Sequence, residues 1–206
     1  MHTLDLILSE SAERHKHLCP RQVLGARMGT FAAQLLGIEL PRTDKRLLVI
    51  SETDGCAVDG LIAATGCRIG SRTLRILDFG KVAATFIDIC TEETIRIVPR
   101  REARALSPEH VPNVRNKWEA MLLGYQVMSA SELFVVQHVQ LDLPLAEILS
   151  RPGRKTICAI CGEEIINGRE KLKDGAVHCR GCAGEKYYDF SSPPLVIEFC
   201  DQVKEP

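Results

Sequence analysis

The sequence predicts an α+β fold: a mixed or antiparallel sheet with packed helices, followed by a small treble-clef-like zinc finger. Three observations carry this. Helical and strand-like periodicities follow one another up to about residue 140 without strict βαβ alternation. Two CxxC pairs, Cys158/Cys161 and Cys179/Cys182, lie 17 residues apart near the C-terminus. Between them and the preceding apolar elements sits a Pro152-Gly153 step with basic neighbours, after which Cys, Gly and charge dominate. Residues 1–145 are therefore expected to form the α+β core, residues 156–206 the finger with a C-terminal tail, and residues 145–155 the linker.

The elements follow in order. Leu4, Ile7, Leu8 and Ser11 share one side of a helix over residues 4–13. Pro20 suits the first position of a second helix, where its missing N–H costs nothing. Leu24, Met28, Phe31 and Leu35 mark one face of that helix, and Gly37 its stop. Residues 46–51 (RLLVIS) read as a buried strand, and Asp54-Gly55 as a tight turn. The small apolar run 56–65 predicts a helix packed closely on the sheet and closed by Gly66. Strands are expected over 72–78, 82–90 and 94–98, with Thr91-Glu92-Glu93 as a hairpin tip. Val111, Val114, Trp118, Met121, Leu122, Tyr125 and Met128 recur at helical spacing, which predicts a helix over 111–128 with Trp118 in the core. Residues 133–139 read as the last core strand.

A formal net charge of -1 across 206 residues argues against nucleic acid as the partner. No apolar run is long enough to span a bilayer, and the N-terminus lacks the pattern of a signal peptide. The expected setting is cytoplasmic, away from membranes. Nine cysteines cannot all pair within one chain, and in a reducing compartment clustered cysteines point to metal ligation or reactive thiols.

The C-terminal cluster is the sharpest chemical signal. Zinc takes four soft ligands in a tetrahedron, and each CxxC turn presents two thiolates from one knuckle. Cys158, Cys161, Cys179 and Cys182 are thus expected to hold a structural zinc, with Gly162 and Gly181 at the bends. Four protein ligands close such a site to catalysis.

In the core, His17 and Cys19 are two residues apart, so an extended segment would point both side chains the same way. Cys19 precedes Pro20 and so stands at a helix N-terminus, where the dipole favours a thiolate. Cys56 stands at the start of the next predicted helix, within Glu52-Thr53-Asp54-Gly55-Cys56-Ala57-Val58-Asp59. His17, Cys19 and Cys56 form a candidate three-ligand site for a second metal with one open position. The alternative is that Cys56 and Cys67 are core residues and that His15 and His17 cap or hydrogen-bond. Cys19, Cys56 and Lys81 are the candidate catalytic residues. Lys81, in the Asp78-Phe79-Gly80-Lys81 segment between two strands, either reaches an anionic substrate or is a solvated hairpin lysine.

Together, His15-Lys16-His17-Leu18-Cys19-Pro20, the Glu52 to Asp59 motif, Thr65-Gly66-Cys67, Asp78 to Phe86 and Ser131-Glu132-Leu133-Phe134 resemble the FmdE family of formylmethanofuran dehydrogenase. The resemblance spans about residues 10 to 140. Some members of that family carry a C-terminal zinc finger of this kind. The resemblance implies an α+β core that forms a homodimer and a cleft site using His17, Cys19 and Cys56. It also implies a link to the molybdenum or tungsten enzyme of methanogenesis. Where the family usually has glycines, this chain has Lys16 and Arg21, which add bulk and positive charge beside the proposed site.

Three functions follow from these readings. The first is a metal-binding accessory protein of the FmdE type, assisting a metalloenzyme or another protein partner. The second is an enzyme using a core metal or thiol. The third is a regulatory or interaction protein acting through its finger.

Overall fold

The computed structural model describes residues 2–142, 144–149 and 153–189 of the chain. The expected C-terminal tail after residue 189 lies outside the described residues, as do Arg151 and Pro152 of the expected linker. The chain divides into two compact units, Met1–Leu149 and Ser150–Pro206.

The first unit opens with α1 (Leu4–His15) and α2 (Pro20–Leu36). Thr3 caps α1 by accepting from the Leu6 N–H, and Lys16 ends it in the left-handed region at φ 69°. Gly37 ends α2 in the same region, as its place after the last turn predicts. The buried face of α2 runs through Val23, Leu24, Ala26, Met28, Ala32 and Ala33. Leu35, expected on that face, is 42% exposed. The small residues at 25, 26, 29, 32 and 33 turn the contact face toward α3 and rotate Leu35 outward.

β1 (Leu47–Ser51), α3 (Ala57–Thr65) and β2 (Leu74–Ile76) follow, then β3 (Ala84–Asp88) and β4 (Thr94–Pro99). A short helix α4 (Ala103–Leu106) runs into a 3-10 turn over Ser107–His110. α5 (Lys117–Val127), α6 (Ala130–Leu133), β5 (Phe134–His138) and α7 (Leu145–Ile148) complete the unit. The five strands form one mixed sheet in the order β2-β1-β3-β4-β5. Only β1 and β2 are parallel, and α3 connects them. The other three pairs are antiparallel, with Val49 opposite Phe86 and Ile97 opposite Val136. Segment 78–81 is therefore not a hairpin. It crosses the end of β1, where the Phe79 and Lys81 N–H groups donate to the Glu52 carbonyl.

The central strands are buried on both faces. Leu47, Val49, Ala84 and Phe86 meet the helices in the main core. Leu48, Ile50 and Ile87 point the other way and are covered by Leu141, Leu145, Ile148 and Leu149. The period-two alternation of strand side chains produces this division. It also places the start of the expected linker on the sheet as packed structure.

The helix expected over 111–128 begins six residues late. Pro112 and Asn113, the latter at φ 62°, are incompatible with helix continuation, and Asn116 supplies the cap by accepting from the Glu119 N–H. Arg27 of α2 pins the far end of α5, donating to the carbonyls of Tyr125, Gln126 and Met128 at 2.8–2.9 Å. A cation on orphan C-terminal carbonyls is a favourable pairing.

α2 and α3 approach each other closely. A Cβ on Gly25 would stand 2.0 Å from the Ala57 carbonyl oxygen, and one on Gly60 would stand 2.1 Å from that of Gln22. Residues 22–25 thus lie against residues 57–60. The same crossing brings Cys19 and Cys56, which precede the two helices, to one place.

The second unit contains two hairpins, β6 (Lys155–Ile157) with β7 (Glu164–Ile166), and β8 (Lys171–Lys173) with β9 (Ala176–His178). A single wide turn of helix over Gly181–Glu185 follows, with Gly184 at φ 111°. Among the described residues no helix is long and apolar enough to cross a membrane.

Candidate functional sites

In the second unit the knuckle between β6 and β7 presents Cys158 and Cys161, and the start of the last helical turn presents Cys179 and Cys182. Gly162 sits in the left-handed region at φ 74°, which lets its N–H return to the Cys158 carbonyl at 3.0 Å. The four Sγ atoms lie within 4.8 Å of one another, and those of Cys161 and Cys179 are 3.9 Å apart. A tetrahedron with Zn–S bonds of about 2.3 Å separates its sulfurs by roughly 3.8 Å, so the donor set fits a zinc ion. The Cys179 N–H donates to the Cys158 sulfur at 3.2 Å, and the Cys182 N–H to the Cys179 sulfur at 3.3 Å. Backbone N–H groups of Cys161 and Cys179 draw the Cys158 thiol down to about 6. Cys182, hydrogen-bonded to Cys179 and crowded by the other sulfurs, is pushed up to about 12. Four thiolates this close would need a cation among them, and Zn²⁺ is the ion this donor set would hold.

The core site is built where α2 and α3 begin. Gln22, fully buried, donates from Nε2 to the carbonyl and hydroxyl of Ser11 and accepts the Cys19 N–H at 2.7 Å. This ties α1 to the start of α2 and fixes Cys19. Burial raises the Cys19 thiol. The N–H groups of Gln22 and Arg21 pull it back only in part, and a hydrogen bond with Cys56 raises it further. Cys56 is held by a braced loop, in which the Ser51 hydroxyl donates to the Thr53 carbonyl at 2.8 Å and the Gly55 N–H to the Thr53 hydroxyl at 3.1 Å. Glu52, paired with Arg96 at 2.5 and 2.7 Å, fixes the root of that loop and is held below the usual carboxylate range.

His15 completes the arrangement. Its Nε2 lies 3.3 Å from the Cys56 sulfur and its Nδ1 2.9 Å from the Asp59 carboxylate. Asp59, His15 and Cys56 form a continuous chain beside Cys19. A histidine whose second nitrogen meets a carboxylate is oriented either to ligate a metal or to take a thiol proton. His17, the expected ligand, is exposed and stands beside the His15 ring at 4.7 Å between centroids. The expectation took residues 17–19 as extended and looked no further back along the chain. α1 instead continues to His15 and Lys16 reverses the chain, so His15 faces Cys56. Among the described residues, the finger cysteines are the only group of three or more such donors whose ligand atoms all lie within 4.8 Å.

Over the two core thiols opens a cavity of about 540 Å³. Leu24, Val82 and Met121 give it apolar walls, and Trp118 and Tyr125 line it from positions two turns apart on α5. Arg21, Arg100, Arg101 and Arg104 line it, with no carboxylate among the lining residues. Trp118 is 48% exposed. Because α5 starts at Lys117, Trp118 falls in its first turn and becomes a cavity wall, not the core residue expected. Lys81 is exposed, rests 6.0 Å from the Phe79 ring centroid and does not line the cavity. Asp59 could have been found from sequence, since Cys56-x-x-Asp59 places both on one turn of α3. The arginines could not, because they converge only through the fold.

The family model described as FmdE, molybdenum formylmethanofuran dehydrogenase operon, matches residues 14–135. The chain belongs to the FmdE family. Both core cysteines, His15, Asp59 and all the cavity residues fall inside the FmdE match. The prokaryotic dksA/traR C4-type zinc finger matches residues 151–188, which contain all four finger cysteines. A probable S-adenosyl-L-methionine-binding protein of Archaeoglobus fulgidus is 30% identical over 207 residues, covering 89% of this chain. The chain spans 54% of that relative's length. The crystal structure of a tungsten formylmethanofuran dehydrogenase FmdE-like protein from Syntrophus aciditrophicus superposes with a TM-score of 0.57 at 20% identity. That superposition covers 91% of this chain and 95% of the other, and supports the fold.

Proposed function

We propose that this FmdE-family protein is a metal-binding accessory protein whose core cleft is the working site and whose zinc finger is structural. In this reading His15, Cys19 and Cys56, whose ligand atoms do not all lie within 4.8 Å of one another, close on a second soft divalent metal, with Asp59 orienting His15. The observation that supports it is the Asp59–His15–Cys56 chain with Cys19 alongside, a soft donor set with its carboxylate brace. The family's name suggests the setting, a molybdenum or tungsten formylmethanofuran dehydrogenase, with the cytoplasm as location and a homodimer as the assembled form. S-adenosyl-L-methionine, named for the A. fulgidus relative, is not assigned to this cleft. Its sulfonium cation would meet four arginines and no lining carboxylate.

The test is elemental analysis of the full chain. Wild type is expected to carry about two zinc-type metals per chain. Cys56→Ser, Cys19→Ser and His15→Ala should each remove one, while His17→Ala keeps both. Wild type holding only the finger's metal after reconstitution would sink the metal reading. A second reading, in which His15 takes the Cys56 proton for nucleophilic thiol chemistry, is favoured by the same linear chain. It predicts alkylation of Cys56 faster than of Cys19 and slowed by His15→Ala.

A further inference from the structure

We infer that the cavity over Cys19 and Cys56 binds an organic anion that carries two or more phosphate or carboxylate groups together with a flat unsaturated ring. The inference rests on the core cleft being the working site, and it adds the chemistry of the ligand. Four arginines from three places in the chain converge on one cavity: Arg21 in the first turn of α2, Arg100 and Arg101 after β4, and Arg104 in α4. None of the four has a carboxylate partner among the described residues. Arg100 donates from Nε to the Ser131 carbonyl at 2.7 Å, and Arg104 meets the Tyr125 hydroxyl. Both contacts orient a guanidinium without neutralising it. Some arginines elsewhere are matched, as in the pairs Arg46–Asp88, Arg96–Glu52 and Arg115–Glu119, and what sets the cavity apart is that four unmatched ones share one opening.

The chain as a whole is close to neutral at -1, so four uncompensated positive charges around one opening are a local concentration. Such a cluster attracts and holds oxyanions, since guanidinium presents paired N–H donors that match phosphate and carboxylate. The ring is called for by the other wall. Trp118, 48% exposed, stands on α5 with Met121 beside it and offers flat apolar surface to a ring, while Tyr125 lines the cavity as a buried residue. A volume of about 540 Å³ holds a ligand of nucleotide size. The two thiols at its floor then face the bound molecule.

The probes are ADP, benzenetricarboxylate, pyrophosphate and adenosine, titrated calorimetrically into the full chain. Trp118 is the only tryptophan, so its emission reports whether binding occurs in this cavity. ADP or benzenetricarboxylate is expected to bind saturably, quench Trp118 and weaken with added salt. Which of the two binds separates a phosphate from a carboxylate ligand. Arg21→Ala and Arg101→Ala, at exposed side chains, should each weaken binding roughly tenfold. Arg68→Ala, outside the cavity, should leave it unchanged. Failure of both anions to bind, adenosine binding as tightly as ADP, or indifference to both cavity arginine variants would overturn the inference. Pyrophosphate binding as tightly as ADP would overturn its ring. Metal content is read separately, so loss of metal without loss of anion binding, or the reverse, shows which proposal has failed.

Discussion

The geometry of the core site depends on two helices touching through glycine, and Gly60→Ala tests that dependence. The new methyl would lie 2.1 Å from the Gln22 carbonyl oxygen and 2.7 Å from the Ala26 nitrogen. Both are backbone atoms, so no rotamer change relieves the clash. α2 and α3 must move apart by more than an ångström, which opens the seam beneath Cys19 and Cys56. Overpacking of this kind costs about 1–3 kcal/mol, with backbone obstruction at the upper end. Replacing a helical glycine by alanine returns roughly 1 kcal/mol of propensity. The net expectation is a loss of about 2 kcal/mol, or roughly 4–8 °C in Tm for a unit of this size. Urea denaturation of the full chain followed by circular dichroism measures it. Gly70→Ala is the matched control, since a Cβ there meets nothing within 4 Å. It should stay within about 0.5 kcal/mol of wild type. If Gly60→Ala were as stable as Gly70→Ala, the close crossing would not be what positions the two thiols.

Two further predictions concern the finger and the sheet. Among the described finger residues only Cys158, Ile165 and His178 are buried, and each strand is three residues long. Chelation of its zinc, or Cys161→Ser, should therefore collapse the amide shifts of residues 153–189 while those of residues 2–149 stay put. Dispersed finger resonances after metal removal would show that the hairpins fold without the ion. In the sheet, Arg46 grips the buried Asp88 carboxylate through Nε and Nη2 at 2.6–3.1 Å and holds it down to about 2. A carboxyl depressed in the folded state contributes stability at neutral pH, and that contribution fades as pH falls below about 5 toward 2. Arg46→Ala should lower stability at pH 7, and the gap from wild type should narrow as pH falls from 5 to 3. A gap independent of pH would mean that the pair acts through packing.

Local chemistry made much of this molecule legible before any fold was known. Pro20 and Gly37 bound α2, Asp54-Gly55 and Gly66 bound α3, and the CxxC spacing located the finger, because each signal acts over a few residues. Strand partnership was less accessible. β2 pairs with β1 and not with β3, its neighbour in sequence, so segment 78–81 read as a hairpin when it is a crossing. The reading at His17 applied alternation within the link 17–19, and missed that the last residue of α1, His15, is the one brought against Cys56. A single left-handed residue, Lys16, decides which histidine meets Cys56. The cavity shows the limit most clearly. Charge counted along the chain sums to -1 and marks no cationic region, and only Arg100-Arg101 and Arg104 are neighbours in sequence. Packing α5 against α2 through Arg27 brings Trp118 and Tyr125 into one cavity with those arginines and Arg21. The ligand preference of the cleft is therefore a property of helix packing, and the substitutions that test it must be chosen on the folded chain.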